Sequence, residues 1–232
     1  MPPLDRTLIA GLPPFVGMTP EGLDSVLSTA RSARFEKDSA VFSQGEQARH
    51  FFLLLSGHIR VEQISSQGHQ VVARYINAGE LFGIAVAMGM PAYPATAVAA
   101  VESVAIAWPN RAWQDLQSLT TFGANAYRTI GLRLGETQAR VMEMSSEEVE
   151  QRVANTLLRL AKQAGRKTEE GIEIDFPISR QEIAEMTGTT LHTVSRTLSS
   201  WENQGLVRSG RQKVTVTDPH GLLLVAENRR RR

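Results

Sequence analysis

Ile178 to Gly205 reads ISRQEIAEMTGTTLHTVSRTLSSWENQG, and this stretch decides the fold. Ser179-Arg180-Gln181-Glu182 is a capping box: a serine oxygen and a glutamate satisfying each other's backbone N–H at a helix start. Gly188-Thr189-Thr190 interrupts the helical pattern. A second helix is predicted from Leu191 to about Gln204, with Gly205 as its stop. Ala184, Gly188 and Val194 stand first, fifth and eleventh in one frame. That spacing puts a small residue where two helices touch, a glycine in the tight turn, and a branched apolar residue packing the second helix on the first. The expectation is a helix-turn-helix.

On the second helix, Leu191, Val194, Leu198 and Trp201 share one face, expected to be buried. His192, Ser195, Arg196 and Ser199 share the opposite one, which can enter a major groove. Arg196 can donate two hydrogen bonds to guanine O6 and N7, worth about 1–3 kcal/mol of discrimination. His192 lies near the helix start, where base-edge contacts concentrate, and Ser195 can reach a base or a phosphate. Thr193 belongs to the same surface. Thr189, Thr190 and Arg180 are better placed for phosphates, which set register and not sequence.

Downstream, Leu206-Val207-Arg208 and Lys213-Val214-Thr215-Val216 flank Ser209-Gly210-Arg211, the pattern of a hairpin wing. Arg208, Arg211 and Lys213 are expected to face a nucleic-acid backbone. From Arg180 to the end there are nine lysines or arginines against five acids, although the whole chain carries only +1. The terminal Arg229 to Arg232 inflate that contrast. A basic C-terminal part suits double-stranded DNA contacted by one domain only.

Working upstream, Ser145 to Glu148 (SSEE) offers another capping box, Ser145 with Glu148, starting a helix through Lys162 with Val149, Val153, Leu157, Leu158 and Leu160 inward. Gly165 to Gly171 reads as a charged turn and Ile172 to Phe176 as a strand. Tyr127, Ile130, Leu134, Thr137, Val141 and Met144 step by three and four, a heptad-like seam on one helix. Such a seam suits a homodimer, because readers of this motif work as two-fold pairs on two half-sites. Gly123, Gly131 and Gly135 each weaken that helix by about 1 kcal/mol relative to alanine.

Between Ala33 and Pro109 short apolar runs alternate with turns. Gly45, Gly57, Gly68 and Gly79 recur every eleven or twelve residues, which argues for an antiparallel sandwich or barrel of the jelly-roll kind. Before it, Thr19-Pro20-Glu21 starts a helix expected to reach about Arg31.

Composition excludes several classes. The chain has 232 residues and no cysteine, so disulfides, thiolate catalysis and a cysteine-ligated iron–sulfur cluster are out. The start, MPPLDRTLIAG, is neither a signal peptide nor a span. The longest apolar run, Ile84 to Met90, is too short to cross a bilayer. A cytoplasmic protein with no membrane partner is expected. No H-E-x-x-H, Walker A loop or G-x-S-x-G occurs, and no enzyme is expected.

Over nearly its whole length the chain resembles the CRP/FNR family of bacterial transcription regulators. The resemblance rests on Phe42-Ser43-Gln44-Gly45-Glu46, Phe51 to Gly57 (FFLLLSG), Gly79-Glu80-Leu81-Phe82-Gly83, Ser179 to Ala184 and Thr193-Val194-Ser195-Arg196. It implies an α+β chain: a cyclic-nucleotide-binding-like β-roll (jelly roll) over 1–111, a dimerisation helix over 112–145, and a winged helix-turn-helix over 146–232. It also implies a homodimer on a palindromic promoter site, an effector in the roll near Gly79, Glu80, Leu81, Phe82, Tyr93 and Thr96, and contact with RNA polymerase.

Two departures bear on the effector. Nucleotide-binding members hold the cyclic phosphate with an arginine before a serine or threonine; here Ala95 precedes Thr96, and residues 93–97 carry no cation. A phosphate without such a cation loses its strongest hydrogen bonds. Cysteine-free branches with the Ser-Arg pair include the nitric-oxide-responsive denitrification regulators, which implies a nitric-oxide or redox input. Some such sensors use haem, for which the candidate ligands are His50, His58 and His69. Gly83 and Ala85, where the carbon-monoxide-sensing branch ligates haem, cannot bind iron. A cyclic-nucleotide-dependent regulator, or a small-molecule module acting through protein contacts, stays open as an alternative.

Overall fold

The computed structural model describes residues 4–68 and 70–229. The chain divides into two compact units, with the division inside a long helix between Glu136 and Thr137. The first unit opens with helix α1 (Pro20–Leu27), capped by Thr19 Oγ1, which accepts from Gly22 N at 3.2 Å. The helix stops four residues short of Arg31, which opens a strand instead. The eight strands are β1 (Arg31–Phe35), β2 (Ala40–Phe42), β3 (His50–Ser56), β4 (Ile59–Ile64), β5 (Gln70–Ile76), β6 (Leu81–Phe82), β7 (Thr96–Ala99) and β8 (Ser103–Pro109). They form two four-stranded sheets, β1-β8-β3-β6 and β2-β7-β4-β5. The jelly-roll expectation holds. Gly45, Gly57, Gly68 and Gly79 all have positive φ, which is why the turns carry glycine. At Gly57 a Cβ would also lie 2.3 Å from Ser103 Oγ.

The FFLLL run is buried on both sides of β3. Successive strand residues point to opposite faces, so Phe51 and Leu53 join one core with Ile9, Phe15, Val26 and Trp108. Phe52 and Leu54 join a second core with Phe42, Phe82, Tyr93 and a set of alanines. Register pairs large with small there: Phe52 sits opposite Ala107 and Leu54 opposite Ala105. Trp108 donates its buried Nε1–H to Val26 O at 2.8 Å, which ties α1 to the sheet.

The helical region from Trp113 is two elements, α2 (Trp113–Ser118) and α3 (Thr120–Ser146). Leu119 takes an extended conformation between them, and a Cβ on Gly123 would meet the Gln117 carbonyl oxygen at 2.6 Å. Gly131 and Gly135 face open space. At 1.5 Å per residue, α3 is about 40 Å long. Its first two turns bury Phe122, Asn125 and Ala126. The seam beyond is bare in the single chain: Tyr127 is 54%, Leu134 59% and Val141 58% exposed, with Thr137 and Met144 exposed too and Ile130 half-buried.

The second unit holds α4 (Val149–Ala164), β9 (Gly165–Thr168), β10 (Gly171–Ile174), α5 (Arg180–Thr187), α6 (Leu191–Asn203), β11 (Val207–Gly210), β12 (Lys213–Val216) and α7 (Pro219–Ala226). Two expectations are corrected, and one helix is added. The capping box of α4 pairs Glu148 with Gln151, whose Oε1 accepts from Glu148 N at 3.1 Å. Ser145 is spent inside α3, where its Oγ donates to Val141 O. The charged turn after α4 is largely strand β9, because Arg166 and Lys167 pair with β10. Helix α7 was not anticipated, although its signal is present: Asp218 caps Gly221 N at 2.9 Å, with Pro219 in the first turn. Of the expected inner face of α4, Val153, Leu157 and Leu160 are buried while Val149 and Leu158 are half-buried.

Candidate nucleic-acid interface

The reading element assembles from local signals. Ser179 Oγ accepts from Glu182 N at 3.1 Å and Glu182 Oε2 accepts from Ser179 N at 2.6 Å, the reciprocal box that starts α5. Gly188 ends it at φ +61, a left-handed position that glycine takes without strain. Thr190 caps α6 through its Oγ1, which accepts from Thr193 N at 3.2 Å, while the two hydroxyls are 2.9 Å apart. Ala184 is buried where α5 meets α6, and α6 buries Val194, Thr197, Leu198 and Trp201. Leu191 departs from expectation: it is 48% exposed, because it lies in the first turn of α6.

The opposite face of α6 is bare. His192, Arg196 and Ser199 are exposed and Ser195 half-buried. Among the described residues, His192 and Arg196 have no hydrogen-bond or ionic partner. An arginine free of its own protein can offer its full fork of donors to another molecule. Thr189, half-buried, donates its backbone N–H to Ala184 O, so its geometry belongs to the turn.

The surrounding cations are held differently. Arg180 donates to Ser209 Oγ at 2.8 Å; Ser209 in turn donates its N–H and Oγ–H to Glu202 Oε1, each at 2.7 Å. This chain ties the start of α5 and the wing to the far end of α6. Arg208 pairs with Glu170, and Lys213 Nζ lies 2.7 Å from Glu173 Oε2. Its hydrogen bond to Lys213, with the charges of Lys213 and Arg166, holds the Glu173 carboxyl below the ordinary carboxylate range. Arg211 stands in the β11–β12 turn, exposed. Residue-by-residue reading missed Glu170, Glu173 and Glu202, since the first two act across the β9–β10 hairpin and the wing and Glu202 through the packing of the α6 end on β11.

The end of α3 is docked on the reading unit. Arg152 donates to Thr187 O at 3.0 Å and to Glu147 O at 2.7 Å. Arg159 pairs with Glu143 at 3.2 Å. A Cβ on Gly188 would lie 2.7 Å from Met144 Cε, so the last seam residue sits on the helix-turn-helix turn.

In the first unit, the effector-segment residues are largely occupied by the protein itself. Glu80 Oε1 accepts from Asn77 N and Nδ2 at 3.1 and 3.2 Å, and Oε2 meets Arg74 and, at 3.5 Å, Arg133. Burial, more than the nearby Arg74 charge, pushes the Arg133 guanidinium down to about 10. Arg133 also donates to Leu81 O, which ties α3 to the strand after Gly79. Leu81, Phe82 and Tyr93 are core residues; Tyr93 stacks on Phe42 with ring centroids 3.8 Å apart. Thr96 Oγ1 accepts from Gln44 N at 2.9 Å. Ala95 is buried. A carboxylate has about four acceptor sites, and those of Glu80 are already met from within. The residues present do not fit a cyclic phosphate bound by an arginine ahead of Thr96.

The histidines do not converge either. Arg31 donates to His50 Nε2, which takes the lone pair that iron would need. His58 Nδ1 lies 3.1 Å from Asn77 Oδ1. His69 and Arg230–Arg232 lie outside the described residues. No group of three or more His, Asp or Glu that could hold a metal ion occurs among the described residues, and none of their helices is long and apolar enough to cross a membrane.

A β-roll, a long helix and a winged helix-turn-helix with a bare reading face define a DNA-binding transcription regulator. Residues 32–118 match the model of the cyclic nucleotide-binding domain, and residues 151–225 that of the Crp-like helix-turn-helix domain. The chain is 29% identical to the cyclic AMP receptor protein of Thermus thermophilus, over 90% of this chain and 94% of that one. Among solved structures it is similar to TTHB099, a CRP-family regulator of Thermus thermophilus (TM-score 0.72, 28% identity, 84% and 96% covered). FixK2 of Bradyrhizobium japonicum shares the fold (TM-score 0.74, 20% identity, 84% and 96% covered). This chain belongs to the CRP/FNR family, whose members are transcription regulators and not enzymes.

Proposed function

We propose that this regulator works as a homodimer, paired along the α3 seam, that reads a palindromic promoter site with Arg196 and His192 of both copies. Residues 1–111 form the sensor, 112–145 the pairing helix and 146–232 the reader. One observation carries the reading: the groove-facing surface of α6 is exposed and its arginine has no protein partner. Around it, Thr190 and Thr193 are committed to the helix cap, Arg180 to Ser209, and Arg208 and Lys213 to ion pairs. Ser195 and Ser199 complete the base-facing surface, with Arg180, Thr189, Thr190, Thr193, Arg208, Arg211 and Lys213 on the backbone. The bare apolar seam supports pairing, since two such stripes bury each other in a coiled coil. Output runs through RNA polymerase, as the family resemblance implies.

The input reading is nitric oxide or redox in place of a cyclic nucleotide. It is supported by the missing arginine ahead of Thr96 and by a Glu80 already satisfied within the roll. Haem at His50 is not part of it, because Arg31 occupies Nε2.

Selection from a pool of random duplexes tests the reader. The expected product is an inverted repeat with half-site centres about one helical turn apart, 10–10.5 bp. Enrichment of single, unrepeated sites would remove the paired reading. For the input, DNA affinity and visible absorption are followed before and after nitric oxide and after cyclic AMP. A response to cyclic AMP alone would reverse the assignment.

A further inference from the structure

Two of the wing's three cations, Arg208 and Lys213, are not free. In the sheet order β11-β12-β10-β9, strand β10 borders β12, and its hairpin with β9 carries Glu169, Glu170 and Glu173. Register sets Glu173 opposite Thr215 and Ile172 opposite Val216, so carboxylates stand one strand away from the wing. Arg208 pairs with Glu170, and Lys213 with Glu173 at 2.7 Å. Arg166 completes the web, 2.8 Å from Glu173 and 3.2 Å from Asp175. Arg211 makes no ion pair among the described residues.

Stability does not explain these pairs. The Arg208–Glu170 pair is exposed on both sides and contributes almost nothing to it; Glu173 is only 13% exposed, but its partner Lys213 is 60% exposed and screened by water, and the sheet is already held by backbone hydrogen bonds and by buried Val207, Val214 and Val216. Their effect on DNA is larger. Non-specific binding is electrostatic and scales with the phosphates that a protein neutralises. A cation whose field is cancelled by a carboxylate about 3 Å away neutralises little, and that carboxylate repels the backbone. Base readout by Arg196 is untouched by this cancellation. Masking the wing therefore lowers affinity for any duplex while leaving the preference for the right one.

We propose that Glu170 and Glu173 are specificity-determining residues, masking Arg208 and Lys213 so that sequence-independent DNA binding stays weak. This rests on the wing-to-backbone reading given under Proposed function.

The test uses the full chain carrying Glu170→Gln and Glu173→Gln, which keep shape and remove charge, and a mixed-sequence duplex of about three turns, titrated against sodium chloride. Each added phosphate contact steepens the log–log salt slope by about 0.9, or about 3.5-fold in affinity across a fourfold salt change. Two unmasked cations per copy should steepen the slope by about two for a copy and up to about four for a dimer. Adding Arg208→Ala and Lys213→Ala should return it to the wild-type value. A second variant does not depend on the glutamines folding. Arg208→Ala with Lys213→Ala in the wild-type background should change the slope by less than about one, because masked cations contribute little. A loss of two or more there shows the cations to be free already, and overturns the proposal. Equal slopes for wild type and the glutamine variant overturn it too, and leave the wing reading standing. Absence of binding by wild type even at low salt overturns both.

Discussion

Replacing Arg196 with alanine separates reading from folding. The side chain is exposed and has no protein partner among the described residues, so its removal leaves no buried group unsatisfied. Exposed changes of this kind shift stability by about 0.5 kcal/mol or less, and alanine is the better helix former. On DNA, one bidentate arginine–guanine pair discriminates by about 1–3 kcal/mol. Two copies on two half-sites give about 2–6 kcal/mol, or about 30-fold to 10⁴-fold in Kd at 1.4 kcal/mol per tenfold. Arg180→Ala is the internal comparison. Its partner is Ser209 on the wing, and its expected target is a phosphate. It should weaken selected and scrambled duplexes alike, with a shallower salt slope by about one per copy. Fluorescence anisotropy with both duplexes at two salt concentrations measures the ratio, and a thermal melt checks the fold. If Arg196→Ala discriminates the two duplexes as well as wild type, α6 is not the base-reading surface and the argument from its bare face fails.

Three further outcomes follow from the same geometry. Leu134→Glu alters a residue 59% exposed in the single chain, so the monomer should fold while sedimentation velocity shows pairing lost; a dimer that persists would move the interface away from the seam. His50 has its pKa lowered, first by burial and then by Arg31 and Arg49. The unfolded chain thus takes up a proton more readily than the folded one, and stability should fall as pH drops through the ordinary imidazole range. His50→Gln should flatten that part of a denaturation-against-pH curve, and an unaltered curve would remove the histidine from the linkage. Glu80→Gln leaves Arg74 and Arg133 facing each other without the carboxylate between them. Breaking a buried pair costs about 3–5 kcal/mol, which partial exposure reduces to about 1–2 kcal/mol here; a denaturant midpoint equal to wild type would show that the triad contributes nothing.

The elements legible in the sequence are those made by neighbours along the chain. The Ser179–Glu182 box, the glycine at 188 and the glycine-spaced turns all act within a few residues, so spacing alone reveals them. The FFLLL run is legible as a strand, but not as one buried on both faces, since that depends on Trp108 on one side and the alanines of β7 and β8 on the other. The break at Leu119 carries neither glycine nor proline, and only the packing of Gly123 on the Gln117 carbonyl shows it. The SSEE segment contains two overlapping caps in sequence, and what selects Glu148 is that Ser145 is consumed by the preceding turn.

The same distinction separates the reader from the sensor. Arg196 and His192 are placed by one helix, so their common face follows from its period. Glu80 and Arg133 lie fifty-three positions apart, and Arg208 and Glu170 thirty-eight. Residue types at those positions say only that charges exist, not that they cancel. An excess of cations after Arg180 thus overstates the field on a phosphate. With Arg208 and Lys213 paired to carboxylates, the cations of this face left without an opposite charge beside them, among the described residues, are Arg180, Arg196 and Arg211. A reader built this way gains little from a longer stay on random duplex and most from the guanine its arginine can reach, so its occupancy of a promoter should follow the base pairs under α6 far more than the ionic atmosphere around them.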